Sequence, residues 1–283
     1  MLEKVDGVLL AVRDAEAATR TFASLFGTEV IETRTSDFLN AEVTDLACGV
    51  DRIGLAVPRG AGLVATHVDR WGEGLIGVAF ATRDVLALKD RMASRGIQAT
   101  PDEEDGFFID PSVTHGLLTR VVPSVDRERA GVPSFIYEVT HLVRDWPAVS
   151  KFWTEIFGLD EARFSPIASE QYGYEGMLTL FDPPGKLDRI EVVYPHDTNK
   201  AMGRFFVKRG EGPYMFFMET DDMPALRARL KQAGARFAPE REPEQPNSLF
   251  VHPSSAHGVL IGVSPRNLAW VWSGRPELAR AQN

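Results

Sequence analysis

The chain has a single cysteine, Cys48. One thiol makes no intrachain disulfide and no thiolate-held metal cluster, so the fold has to be held by its own core, and the disulfide scaffold of a small secreted protein is excluded. An excess of cations is missing too: 31 Lys and Arg stand against 40 Asp and Glu, a formal net charge of −9. Nucleic acids and anionic membranes are held through a basic footprint, which leaves a small molecule or another protein as the expected partner. No stretch approaches the ~18 apolar residues of a membrane span, and the N-terminal residues carry no apolar signal-peptide core. A cytoplasmic location is the expectation. Low-complexity tracts are absent as well; with 44% hydrophobic and 25% charged residues among 283, the chain is of ordinary globular composition and long enough for two domains.

What the sequence does contain is repetition. Phe108-Ile109-Asp110-Pro111-Ser112-Val113-Thr114-His115-Gly116-Leu117-Leu118 returns as Phe250-Val251-His252-Pro253-Ser254-Ser255-Ala256-His257-Gly258-Val259-Leu260. The shift of about 142 residues is one domain long, far beyond a solenoid period. Other features recur at similar shifts. A β-rich run at 5–12 precedes Asp14, which stands at a helix N-cap, and the periodic stretch Ala15–Phe26 stops at Gly27. In the second half a strand near 137–143 precedes Asp145, a helix over Trp146–Phe157 and Gly158. Gly72-Glu73-Gly74 is echoed by Gly210-Glu211-Gly212, each ahead of a strand and then a helix, 85–95 and 223–233. With strands between these marks, each half reads as two β-α-β-β-β units. The expected domains are 1–125 and 133–265, joined by the charged stretch around Arg127-Glu128-Arg129, with a tail over 266–283. Trp270 and Trp272 make that tail too apolar to stay in water, so it is expected to pack on a domain or on a second subunit.

Four such units, with Arg13-Asp14 and Arg144-Asp145 after the opening strands and Leu25-Phe26-Gly27 and Ile156-Phe157-Gly158 closing the helices, resemble the vicinal oxygen chelate superfamily of glyoxalases, bleomycin-resistance proteins and extradiol dioxygenases. The resemblance implies an α+β fold of tandem βαβββ modules forming two cupped mixed sheets, in which a cup holds a divalent metal. It also implies the ligand positions. In the first half they fall on Gly7, Gly54, Gly77 and Arg120, none of which continues the family's ligands, so that domain is expected to lack a metal site. In the second half they fall on Glu138, Glu191, Met215 and Gly262; a first strand three residues shorter puts His141 in place of Glu138. Side chains alternate along a strand, so the two registers send His141 either into the cup or against the helix. Its neighbours Val139 and Val143 make a histidine odd in a core, which favours the cup. A cofactor is therefore either absent or a divalent metal of unspecified identity, with His141 and Glu191 as the residues to hold it.

On this basis the chain is expected to be a small-molecule enzyme of that superfamily, of lyase or isomerase type, moving a proton next to a carbonyl. Glu191 is the expected base and Glu138 or His141 the acid. Tyr172 and Tyr174, spaced by Gly173, face one way and with Met215 and His257 are the candidate substrate contacts. His115 and His257 match across the repeat, which also suits turn residues ahead of Gly116 and Gly258. Arg120 reads as a carboxylate binder or as the partner of a nearby Asp. Two alternatives stay open: a metal-free protein that sequesters a planar, possibly aromatic compound, and an extradiol ring-cleavage dioxygenase. A homodimer through a sheet edge or the Trp270–Trp272 tail is expected.

Overall fold

The structure, a computed structural model, describes residues 2–183, 185–240 and 247–281. The first half runs β1 (Lys4–Ala11), α1 (Ala15–Phe26), β2 (Glu29–Ser36), β3 (Ala41–Cys48), β4 (Asp51–Pro58), α2 (Leu63–Trp71), β5 (Gly74–Thr82), α3 (Val85–Ala93), β6 (Thr100–Pro101), β7 (Phe107–Ile109) and β8 (Leu118–Pro123). The second half repeats it as β9 (Phe135–Leu142), α4 (Trp146–Phe157), β10 (Ser165–Ser169), β11 (Tyr174–Leu180), β12 (Arg189–Pro195), α5 (Ala201–Arg209), β13 (Gly212–Thr220), α6 (Met223–Gln232), β14 (Phe237–Ala238), β15 (Leu249–Val251) and β16 (Leu260–Pro265), followed by α7 (Leu268–Trp272) and α8 (Pro276–Ala281). Each half is one eight-stranded mixed sheet, with strand orders β2-β3-β4-β1-β5-β8-β7-β6 and β10-β11-β12-β9-β13-β16-β15-β14. The fold is α+β, built of tandem βαβββ modules.

Four aspartates start the helices that follow the first strand of each module. Asp14, Asp84, Asp145 and Asp222 each accept the backbone N–H three residues on, satisfying a donor that the helix itself leaves unpaired. Gly27 and Gly158 end α1 and α4 in the left-handed conformation. The apolar stripes of α1, α3, α4 and α6 pack with the inner faces of both sheets in one core, where Phe22, Phe26, Phe80, Trp153, Phe157 and Phe216 are buried. The other face of each sheet is the cup. Helix α2 lies over the first cup through Val64 and Val68, and α5 over the second through Met202 and Phe206. These two helices are not marked in the sequence by a capping Asp, Ser or Thr: their N-cap residues are Gly62 and Lys200, and neither makes a side-chain cap bond.

The two halves dock by exchange of equivalent contacts. Glu73 accepts the Arg13 N–H (2.8 Å) and meets His257 Nδ1 (2.8 Å); Glu211 accepts the Arg144 N–H (2.8 Å) and meets His115 Nδ1 (3.3 Å). Asp51 accepts the Ile136 N–H at 2.7 Å, and Asp188 the Val5 N–H at 2.6 Å. Each His-Gly turn therefore lies on the Gly-Glu-Gly turn of the other half. The tail packs within its own chain: Trp270 is 2% exposed, in a cluster with Tyr137, Leu178 and Leu180.

The closeness of this docking is measured by Gly258. It has φ +80°, and a Cβ there would lie 2.0 Å from the Glu73 carbonyl oxygen; Gly96, with φ +71°, has nothing within 4 Å. Gly258→Ala is expected to lower the free energy of unfolding by about 2 kcal/mol or more in urea titrations, and Gly96→Ala by about 1 kcal/mol. Equal losses would mean that the turn can shift away from its neighbour.

Candidate active site

Strand pairing places the cup residues of the second half in two rows. Arg189, Glu138, Phe217 and Gly262 lie side by side across β12, β9, β13 and β16; one step along are Glu191, Thr140, Met215 and Leu260. In the first row Arg189 Nε donates to Glu138 Oε2 at 2.5 Å and its Nη1 to Ser273 Oγ at 2.6 Å, both charged groups being almost fully buried. The guanidinium also lies 5.0 Å from the centre of the Tyr137 ring. Burial costs each ion its water, and the mutual contact offsets that cost only while both remain paired. Glu138 is therefore committed to Arg189.

Glu191 stands free of that pair and faces a cavity of ≈ 280 Å³. Around it are Tyr174, Met202, Tyr214, Met215, Phe217 and Phe250, with Gln171, Tyr172 and Lys200 toward the mouth. Its carboxyl accepts the Thr140 hydroxyl at 2.5 Å and is hydrogen-bonded to Tyr174. Burial, and then the charge of Glu138, hold it well above the ordinary carboxylate range, against the hydrogen bonds from Thr140 and Tyr174 and the charge of Arg189. Burial raises the Tyr174 hydroxyl as well, so it stays protonated and can donate. An apolar chamber with one proton-exchanging carboxyl on its wall can take a proton from a substrate and return it.

Of the residues singled out from sequence, Glu191, Tyr172, Tyr174 and Met215 come together on this cavity. Two placements are corrected. His141 does not face the cup: it is completely buried on the other side of β9, its Nε2 donating to the His115 carbonyl (2.9 Å) and its Nδ1 accepting from Trp153 Nε1 (3.4 Å). Burial lowers its pKa to about 4. It is a satisfied core histidine, and it cannot share a ligand with Glu191 across the sheet. His257 is likewise absent from the cavity, being held in the docking turn between Glu73 and Thr21 Oγ1. Thr140 and Arg189 were missed, although the alternation along β9 and β12 put them beside Glu138 and Glu191. Met202 was illegible because α5 itself was not marked, and Tyr214 lies on β13 one residue ahead of Met215.

The first cup is closed. Leu9, Leu39, Phe108 and Leu118 fill it, leaving ≈ 20 Å³. Arg120 pairs with Asp102 at 2.7 Å and with Glu104, Arg52 with Asp6 at 3.0 Å and Arg34 with Asp45 at 3.2 Å. Among the described residues, Glu32, Asp45 and Glu104 bring three carboxylate oxygens within 4.8 Å of one another, but Arg34, Arg52 and Arg120 already pair with two of these groups.

A curled eight-stranded sheet made of two βαβββ modules, present twice with the same strand order, defines the glyoxalase/dioxygenase class of fold. Residues 139–251 match the model of the glyoxalase/bleomycin resistance protein/dioxygenase superfamily. The match lies in the second half, and the first half repeats the same strand order. Its structure superposes over the whole of both chains on a triple mutant of 4-hydroxymandelate synthase from Streptomyces coelicolor, with a TM-score of 0.71 at 14% identity. A xylose isomerase-like TIM barrel/4-hydroxyphenylpyruvate dioxygenase fusion protein matches 100% of this chain over 53% of its own length, with a TM-score of 0.66 at 14% identity. Methylmalonyl-CoA epimerase from Mycobacterium tuberculosis covers 47% of this chain and 89% of its own, with a TM-score of 0.41 at 24% identity. These likenesses are ones of fold. No curated protein matches the sequence significantly.

The resemblance implies a divalent metal on the cup face, and the residues here do not fit one. The Arg189 cation occupies the partner site of Glu138. The Phe217 ring stands where a side chain at Gly262 would be, 2.2 Å from a Cβ built there. No imidazole lines the cavity, so the two-histidine, one-carboxylate set of an iron dioxygenase cannot be assembled. After incubation with Fe(II), Mn(II), Zn(II) or Mg(II) and desalting, elemental analysis should find far less than one metal per chain; stoichiometric retention would mean that Arg189 releases Glu138.

The raised pKa of Glu191 also sets a pH dependence. A carboxyl whose folded pKa exceeds its unfolded one contributes stability that is whole below the unfolded value and is lost as pH rises through the folded value. Glu191→Gln stays neutral throughout, so its unfolding midpoint should gain on that of the wild type as pH rises from about 5 to about 8. A pH-independent difference in denaturant titrations would refute the assignment.

Proposed function

We propose that this chain is a cytoplasmic small-molecule enzyme of lyase or isomerase type, moving a proton on a carbon next to a carbonyl in the second cup without a metal. The observation that supports this most is the isolation of Glu191: a buried, proton-exchanging carboxyl facing an otherwise apolar and aromatic cavity, with a permanently protonated Tyr174 hydroxyl beside it. In its ionised form Glu191 takes the proton; the C–H electrons form a C=C bond and the carbonyl becomes an enolate oxygen. Once Glu191 is protonated, the Tyr174 hydroxyl is released from it and donates a hydrogen bond to that oxygen, as donors fixed in a dry site do best where charge develops. Glu191 then returns the proton to a carbon, giving an isomer, or departure of a β-substituent completes an elimination. Glu138, the acid expected from sequence, has no part in this scheme because Arg189 holds it. Thr140 orients the carboxyl.

A second reading, sequestration of a planar compound, is favoured by the rings of Tyr172, Tyr214, Phe217 and Phe250 around the cavity. Both readings predict binding, and only the first predicts exchange. With arylacetones in D₂O as probes, the wild type should incorporate deuterium next to the carbonyl, and Glu191→Gln should slow this by about 10²-fold or more. Saturable binding without exchange in the wild type would leave a binding protein, and equal exchange in both proteins would exclude Glu191 as the proton carrier.

A further inference from the structure

A second cavity, of ≈ 160 Å³, lies between the halves, where α2 and α5 end. Trp71 and Arg209 are the last residues of these two helices, and Gly72 and Gly210 cap them alike. The repeat thus places an aromatic ring and a guanidinium at equivalent positions, and the docking brings them face to face. The Arg209 guanidinium lies 5.4 Å from the Trp71 ring centre and 4.7 Å from that of Phe205, and its Nη2 donates to the Trp71 carbonyl at 3.1 Å. Among the described residues no carboxylate pairs with it. Glu211, the acid lining this cavity, is taken by the Arg144 N–H and His115. Across the cavity, His67 Nε2 is buried and has no hydrogen-bond partner. The two groups converge: a Cβ on Gly74 would lie 3.5 Å from His67 Nε2 and 3.8 Å from Arg209 Nη1. Ile76, Leu118 and Pro213 give the same cavity an apolar lining.

We infer that this crevice is a binding site for a short organic carboxylate, its anionic end held between Arg209 and His67 and its hydrocarbon body against Ile76, Leu118 and Pro213. A lone buried donor and a cation without a counter-ion are costly groups, and one carboxylate satisfies both. The apolar lining sets the class: inorganic anions would lose water there and gain no apolar contact to offset it. Burial and the charge of Arg209 lower the pKa of His67 to about 4, so at neutral pH it serves as a neutral N–H donor. The site is separate from the second cup and does not rest on the proton-transfer reading.

The test uses the full chain, with sodium butyrate and sodium phosphate as separate probes at pH 7. Isothermal titration should give saturable butyrate binding that Arg209→Met weakens by about tenfold or more, the loss of one charge-assisted contact. The His67 ring resonances should shift on butyrate addition in the wild type and stay fixed in Arg209→Met. Thermal unfolding checks that the variant is folded; should it not be, His67→Leu is read in the same titration and should weaken binding likewise. Absence of saturable binding at millimolar butyrate, undiminished binding in the folded variant, unmoved His67 resonances, or phosphate binding as tightly as butyrate would overturn the assignment.

Discussion

One hydrophobic core is shared by both halves, and the rest of the architecture follows from that constraint. The helices of each half bury their apolar stripes against those of the other and against the inner faces of both sheets. Neither half could expose that face to water, since rings such as Phe22, Trp153 and Phe157 would be stripped of their packing. With one face of each sheet committed to that core, the opposite face is left for the cup, filled in the first half and open to a cavity in the second. The same constraint explains the conserved geometry of the two exchanged turns: Gly116 and Gly258 press on the backbone of Glu211 and Glu73 so closely that only glycine is accommodated.

The two cups have diverged by different means. In the first, a network of Arg34, Arg52 and Arg120 with Asp6, Asp45, Asp102 and Glu104 takes up the polar groups, and Leu9, Leu39 and Phe108 take up the volume. In the second, a single buried pair, Arg189–Glu138, neutralises one row of the sheet, while Phe217 covers Gly262. That leaves Glu191 in the next row with no cation at contact distance among the described residues, and burial then raises its pKa. The chemistry available to the cup is thus set by which of two acids an arginine neutralises. In the second cup the group left facing the cavity is thus a buried, unpaired carboxyl.

Much of the fold was legible because its signals are local. A cap Asp, a 3.6-residue stripe and a stop Gly mark α1 and α4 to the residue, and the repeat reveals the tandem plan. Helices α2 and α5 escaped because they begin at Gly62 and Lys200 without a side-chain cap, and with them went Met202 of the second cup and the whole interdomain crevice. His141 was placed wrongly for an instructive reason. An imidazole between valines looks out of place in a core until the partners arrive, and both come from afar: the His115 carbonyl from the other half and the Trp153 indole from the following helix.

The sequence by itself determined the tandem arrangement, the α+β class and the absence of disulfide support, since each of these is written in residue type and spacing. Only the tertiary structure decided that Arg189 pairs with Glu138 and not Glu191, that His257 and His115 belong to the docking surface, and that Trp71 meets Arg209. Those outcomes depend on which strands lie side by side and which turns meet across the two halves. Such long-range neighbours arise from the packing of the shared core, and no local pattern encodes them.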